Sequence, residues 1–373
     1  MSNTNFNNAI IMTLSLLSLI FWGVYYSLER HYSRIHPVDR VELKAAELMS
    51  EAEKIIFRCQ QEKGLRPEKN IFDPNHTGLI GLEHSPMTTT LGSLEAKRTT
   101  TNPNLASLLA HLLKKAGIKG GDTVAVGASS SFPALILASY CAATSMGVRL
   151  LLINSIGASQ WGANNPEFTW LEIEECLRSA GLAEKQLQAV SWGGEDDSGK
   201  DFPESLKIRI KEKAASLGIA FLEGENLEQK VKERLKLYFQ AAHEKKIKAF
   251  INIGGSYVNL GRDSSVLEIK PGLTRIKKIP PVSRRGVLHE MARREIPVIH
   301  LLYIQGLVEY YGLPWDPRPL PEPGRTTYWR NNFPEKRTLF LLFSAYIFVC
   351  ALSAIAVILI HKKRVQKELQ TGL

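Results

Sequence analysis

Cysteine is scarce: the chain has four in 373 residues, Cys59, Cys141, Cys176 and Cys350, and they stand far apart. No C-x-x-C pair or Cys/His spacing occurs, which argues against a structural zinc, and four scattered cysteines make no disulfide framework. Internal repeats and low-complexity tracts are lacking too, so a repeat array is not expected. Acidic residues are outnumbered, 37 against 47 Lys and Arg, for a net charge of +10. Such a balance favours anionic partners, whether lipid head groups, polyanions or nucleic acid. Nucleic acid is set aside, because the most basic stretch, Arg262 to Arg294, has almost no interleaved aromatics and no recognition motif.

What is present suits a globular protein with membrane segments. Hydrophobic residues make up 44% of the chain and charged residues 23%. Ala9 to Leu28 and Thr338 to Ile360 carry no charge. At about 1.5 Å of helix rise per residue, each is long enough to cross a hydrocarbon core of about 30 Å. Trp22, Tyr25 and Tyr26 suit an interface. The first run has no Lys or Arg before it and no small-residue cleavage site after it, so an uncleaved anchor is expected. The second ends in HKKRVQK, which suits a stop at a lipid surface. Weighing the basic C-terminal tail above the charges on the domain side gives a two-pass inner-membrane protein with cytoplasmic termini and an extracytoplasmic domain.

Between the spans, Val41, Ala45, Leu48, Ala52 and Ile55 recur at helical spacing up to a stop at Gly64. Pro67 to Asn104 lacks periodicity and reads as extended and irregular. Helices are then expected over 105–116, 133–146, 169–180, 204–217, 227–244 and 286–294. Strands are expected over 123–126, 148–154, 188–191, 219–222, 248–253 and 297–303. Alternation of this kind predicts an α/β fold, a mostly parallel sheet with helices on both faces, Rossmann-like. The expected organisation is an anchor over 1–30, an amphipathic helix and connector over 31–104 and an α/β domain over 105–325. A juxtamembrane segment with the second span (326–361) and a basic tail (362–373) complete it.

Ligands of open α/β sheets bind beyond the C-terminal ends of the strands. Three loops there are polar and glycine-bearing. Gly127, Ser129, Ser130 and Ser131 lead into Pro133, a suitable first helical residue, and free N–H groups at that helix start suit an anion. NSIGASQWGANNPEF offers Ser155, Ser159, Asn164 and Asn165 as a pocket wall, and NIGGS offers Gly254, Gly255 and Ser256. The alternative at each is an ordinary turn. A nucleophile elbow is weaker, since Ser131 stands where the second glycine of G-x-S-x-G belongs. Ser129 with Asp263 and His300 (or His289) is nevertheless the arrangement that a serine hydrolase would use. Glu195, Asp196 and Asp197 form an acidic turn that matches no metal-binding loop, so no metal is assigned. Nothing in the sequence names a cofactor. Arg262 to Arg294 reads either as a solvated face or as a basic track for a polyanion or lipid head groups.

The stretches TTTLGSLEAKRTTTNPNLASLL, VAVGASSSFPAL, GASQWGANNPEFTWLEIE, INIGGS and IPVIHLLYIQGLVEYYGLPWDP together resemble the bacterial poly-gamma-glutamate system protein family, over about Val38 to Pro317. The resemblance implies a membrane-associated accessory of capsule or polymer production. Its partners would be the poly-gamma-glutamate synthase components, including a ligase that joins glutamates through their side-chain carboxylates. It names no biochemical activity for the chain itself, and the alternatives are a serine-dependent hydrolase or transferase acting on the polymer and a scaffold with no ligand site. The family's Gly-x-Ser-Gly-Ser-Phe-Pro pattern has Ser130 here in place of the second Gly, and the C-terminal span is an addition. A polymer with a free carboxylate on every unit suits serine-rich helix starts and basic side chains. Arg98, in the first matching stretch, suits a bidentate carboxylate pair. A salt bridge to Glu95 or another acid is the alternative for Arg98.

Overall fold

Seven apolar runs become the strands of one sheet in the computed structural model, which describes residues 3–32, 38–183, 186–243, 245–325 and 336–370. The strands are β1 (Thr123–Ser129), β2 (Arg149–Ser155), β3 (Leu187–Ser191), β4 (Ala220–Phe221), β5 (Ile247–Ile253), β6 (Gly272–Thr274) and β7 (Val298–Leu301). Their spatial order is β6-β7-β5-β1-β2-β3-β4, parallel except for β6, which pairs antiparallel with β7. β1 is buried at every residue and β5 at all but Lys248, as a strand covered on both faces must be.

The helices are α1 (Asn3–Tyr32), α2 (Arg40–Glu62), α3 (Leu94–Thr100), α4 (Asn104–Lys115), α5 (Pro133–Met146), α6 (Trp170–Ser179), α7 (Glu204–Ser216), α8 (Leu227–Ala242), α9 (Tyr257–Leu260), α10 (Val287–Arg293), α11 (Ile304–Tyr311) and α12 (Lys336–Gln370). Local chemistry sets their ends. Asp39 and Glu42 form a capping box at the start of α2, and Thr169 and Glu172 do so for α6. α5 opens on Pro133 and closes on Gly147, whose φ of 65° is costly for any residue with a side chain. The apolar stripe of α2, including Ala45, Met49, Ala52 and Ile56, is fully buried, and the helix packs on α4 and α5.

Several expectations need correction. β1 does not stop at Val126 but runs through Gly127 to Ser129. The segment expected to be irregular up to Asn104 contains α3, capped by Ser93, whose hydroxyl accepts the Ala96 N–H at 3.1 Å. The edge strand β6 and helix α11 were not expected. The cysteines are not all independent: Cys59 of α2 and Cys176 of α6 are joined by a disulfide with Cα atoms 6.3 Å apart, while Cys141 and Cys350 are free. The tie has a physical reason, because burial of the α2 stripe sets its C-terminal turn against α6.

The chain divides into two compact units, 37–327 and a second made of 1–36 and 328–373. The second holds α1 and α12, two helices long and apolar enough to cross a membrane. They contact one another: the Phe21 ring stacks on Tyr346 at 4.4 Å, and Ser18 and Tyr346 share a hydrogen bond of 2.6 Å. The juxtamembrane stretch 326–335 lies outside the described residues.

The bridge makes a countable prediction. Denatured without reductant, the chain should expose two reactive thiols, Cys141 and Cys350, and four after reduction. Four before reduction would contradict the bridge. Its removal should lower stability by about 2–4 kcal/mol, the usual range for a bridge closing a long loop.

Candidate functional site

The chain leaves β1 through α5 towards β2 on one side, and leaves the adjacent β5 through α9 and α10 towards β7 on the other. Two neighbouring strands whose connections depart in opposite directions open a crevice beyond their C-terminal ends. The turn after Ser129 and the turn Gly254–Ser256 face each other there. Register places Ser129 beside Ser155, and Ser155 beside Ser191, so three strand tips present a row of hydroxyls. Ser155 Oγ lies 3.3 Å from Ser256 Oγ. Gly254, at φ 74°, makes the turn, and a side chain there would press on Ser129 at 3.3 Å.

A cleft of about 650 Å³ fills this crevice. Of the residues nominated from the sequence, Ser129, Ser131, Ser155, Ser159, Gly255 and Ser256 line it. Ser129 Oγ donates to Ser131 Oγ at 2.9 Å, and Ser131 Oγ accepts the Ser159 N–H at 2.9 Å. Leu91, Tyr257, Tyr303 and Trp315 give the mouth an apolar and aromatic rim.

Lys97, not nominated, is the cation of the cleft. Its side chain is buried, donates to Ser159 Oγ at 2.7 Å and to the Ser131 carbonyl, and lies 3.7 Å from the centre of the Phe132 ring. Among the described residues no acid forms an ion pair with it. Burial disfavours its charged form and brings its pKa down to about 7. Glu195, the one acid in the lining, is paired with Lys200, so the cleft holds an amine that is charged below about pH 7 and has no acid bonded to it, beside hydroxyls that can donate to an oxyanion.

Arg98 does not serve this site. Its guanidinium is spent on Asp316, with bonds of 2.6 and 2.7 Å, and that bidentate bond is the main reason the Asp316 carboxyl lies below its usual range. Successive positions on α3 point different ways, so Lys97 enters the cleft while Arg98 ties α3 to the segment after α11. Gly127 is no part of a cradle. It sits inside β1, where an added Cβ would lie 2.7 Å from Asn259 Oδ1 and 2.8 Å from Phe250. Ser130 is fully buried and accepts from Asn154 Nδ2 at 2.8 Å. Its φ is not positive, so the turn does not call for a glycine at this position. Asn164 clamps the Leu82 backbone and Thr88 with bonds of 2.8 and 2.9 Å, and Asn165 caps the turn at Glu167. Neither lines the cleft.

The hydrolase arrangement does not assemble. His300 faces Asn252 at 3.1 Å, with its pKa lowered to about 4 by burial, and Asp263 accepts from Ser265. His289 accepts the Gly286 N–H. None of them bonds Ser129. The acidic turn is not simply a solvated loop: Asp197 is buried against Arg234 at 2.9 Å and accepts from Ser191 Oγ at 2.8 Å and Gly193 N–H at 2.6 Å. This ion pair buttresses the serine row from below. No cluster of His, Cys, Asp or Glu that could hold a metal occurs among the described residues. The basic track is half neutralised. Arg262 pairs with Asp196, and Arg285, Arg293 and Arg294 share Glu290.

Comparison with known proteins returned no matching family model, no curated relative and no similar solved structure.

Two substitutions test this geometry. Gly127→Val should destabilise the domain by about 1–3 kcal/mol through overpacking, read by chemical denaturation. Lys97→Met tests the buried charge. Between pH 7 and 10.5 the unfolded chain holds a proton on Lys97 that the folded chain releases, so folded stability should rise across that window. The penalty is full below about pH 7, and the rise should be missing in Lys97→Met. A wild-type protein without that rise would place Lys97 in water.

Proposed function

We propose that the protein is a membrane-anchored accessory of poly-gamma-glutamate synthesis, handling or export, working beside the synthase components, and that its cleft receives a carboxylate-bearing segment of the polymer. The single observation that carries this reading is Lys97, a buried cation without an acid, hydrogen-bonded to a hydroxyl in a cleft lined by serines. A ligand carboxylate supplies the missing charge, and the serine hydroxyls supply donors for its oxygens. The rim of Leu91, Tyr257, Tyr303 and Trp315 suits the methylene groups of a γ-linked backbone. Two apolar terminal helices support an inner-membrane, two-pass arrangement. The Cys59–Cys176 bridge supports an extracytoplasmic domain, because disulfides persist in oxidising compartments. The reversal of strand order at β1 favours a Rossmann-like layout of the ligand site.

One observation favours a second reading. Lys97 Nζ lies 2.7 Å from Ser159 Oγ, and a lysine with a pKa of about 7 is a competent general base, so Ser159 rather than Ser129 is the nucleophile that an acyl hydrolase or transferase would use. The two readings ask for opposite protonation states of one amine.

Full-length protein in nanodiscs, titrated with poly-gamma-glutamate oligomers at low salt, separates them. Binding to the ammonium should be flat from about pH 5 to 7 and weaken at higher pH, by up to about tenfold per unit, and Lys97→Met should abolish it. Absence of binding at pH 6, or binding indifferent to Lys97→Met, would overturn the proposal. Polymer cleavage that increases through pH 7 and stops in Ser159→Ala would favour the second reading.

A further inference from the structure

The basic segment that follows the cleft-forming strands sorts into two halves. Arg262, Arg285, Arg293 and Arg294 are matched by Asp196 and Glu290. Arg284 and the four residues Lys270, Arg275, Lys277 and Lys278 are exposed and form no ion pair among the described residues. These four border one pocket of about 380 Å³, whose wall includes a single acid, Glu268. Asp263, which lies close enough to feel Lys278 and Arg284, is held by Ser265.

His289 is part of the lining of this pocket. It is fully buried, and its Nδ1 accepts the Gly286 N–H at 3.2 Å. Burial keeps its pKa below the ordinary histidine value, so the ring is neutral at pH 7 and carries its proton on Nε2. That N–H finds no acceptor. A buried donor without a partner costs free energy unless a ligand completes it. The pocket is separate from the cleft. β6 runs antiparallel to β7, with Gly272 opposite His300 and Thr274 opposite Val298, so Arg275 and the lysines after it emerge at the opposite end of the sheet.

We propose that this pocket binds a phosphate group, with His289 Nε2 as the donor in its lining and Lys270, Arg275, Lys277 and Lys278 as counter-charges around its mouth. A carboxylate brings one charge and two oxygens. A phosphate monoester brings close to two charges and three acceptor oxygens, which matches an excess of cations around one N–H. The same chemistry is offered by soluble phosphates and by a phosphomonoester lipid head group.

The test uses the full chain in nanodiscs of uncharged lipid, titrated calorimetrically with inorganic pyrophosphate at low ionic strength. Saturable binding is expected, and the exposed double variant Lys277→Ala/Lys278→Ala should weaken it about tenfold or more. In protein labelled with ¹⁵N-histidine, the His289 Nε2–H signal should shift on binding, and His289→Gln, which keeps a donor, should bind better than His289→Leu. Should the His289 variants fail to fold, the lysine pair still decides. Adding phosphatidate to the disc identifies the source: loss of pyrophosphate binding assigns the site to a lipid head group, and retention assigns it to a soluble phosphate. No saturable binding, binding unchanged in the double variant, or displacement by poly-gamma-glutamate at equal phosphate and carboxylate concentration would overturn the proposal.

Discussion

A lysine ammonium enclosed without an acid is the constraint around which this domain is arranged. Removing such a charge from water costs on the order of several kcal/mol unless partners replace the hydration. Here the partners are a backbone carbonyl, one hydroxyl and an aromatic face, from Ser131, Ser159 and Phe132. Each is placed by a different piece of the fold: Ser131 and Phe132 by the turn from β1 into α5, and Ser159 by its short parallel pairing with Thr90. Lys97 itself comes from α3. The amine is thus the meeting point of three of the chain segments that wall the cleft.

The sheet makes that convergence possible. Strand order reverses at β1, whose connection and that of the parallel neighbour β5 leave in opposite directions, and this leaves the Ser129 and Gly254 turns facing one space. Close packing of β1 beneath it needs Gly127, since Asn259 and Phe250 occupy the volume of a side chain there. Below the serine row, Asp197 and Arg234 form a buried pair with Ser155 and Ser191 attached, which fixes the hydroxyls from the far side. Breaking a buried pair by removing one partner is far more disruptive than its net contribution suggests. The acidic turn is therefore structural at Asp197, while Asp196 stays at the surface with Arg262.

Much of the α/β alternation was legible from periodicity. α5, with Pro before and Gly after an apolar run, has the expected limits to the residue, and most other elements fall within one or two positions. Errors arose where local signals lose to tertiary packing. Gly127 read as the start of a turn, but neighbouring strands hold it extended. Ser93 was a usable cap signal for α3 that the Thr-rich surroundings concealed. β6 is three residues long and exists because β7 offers an edge. The bridge between Cys59 and Cys176 spans 117 positions, and no sequence spacing announces such a pair. At the site, the hydroxyls and glycines at strand ends were recoverable from the rule that sheets bind ligands there. The choice between adjacent Lys97 and Arg98 was not, because it depends on where Asp316 sits after the chain has folded.

The most direct measurement is the titration of the Lys97 amine itself. Lysine labelled at Cε and Nζ, assigned through Lys97→Arg, should report a pKa near 7 in the free protein, against the ordinary 10.5. Saturation with poly-gamma-glutamate oligomers should move it upward, because a carboxylate brought to the amine stabilises the charged form. A Lys97 that titrates near 10.5 with and without the polymer would contradict the account.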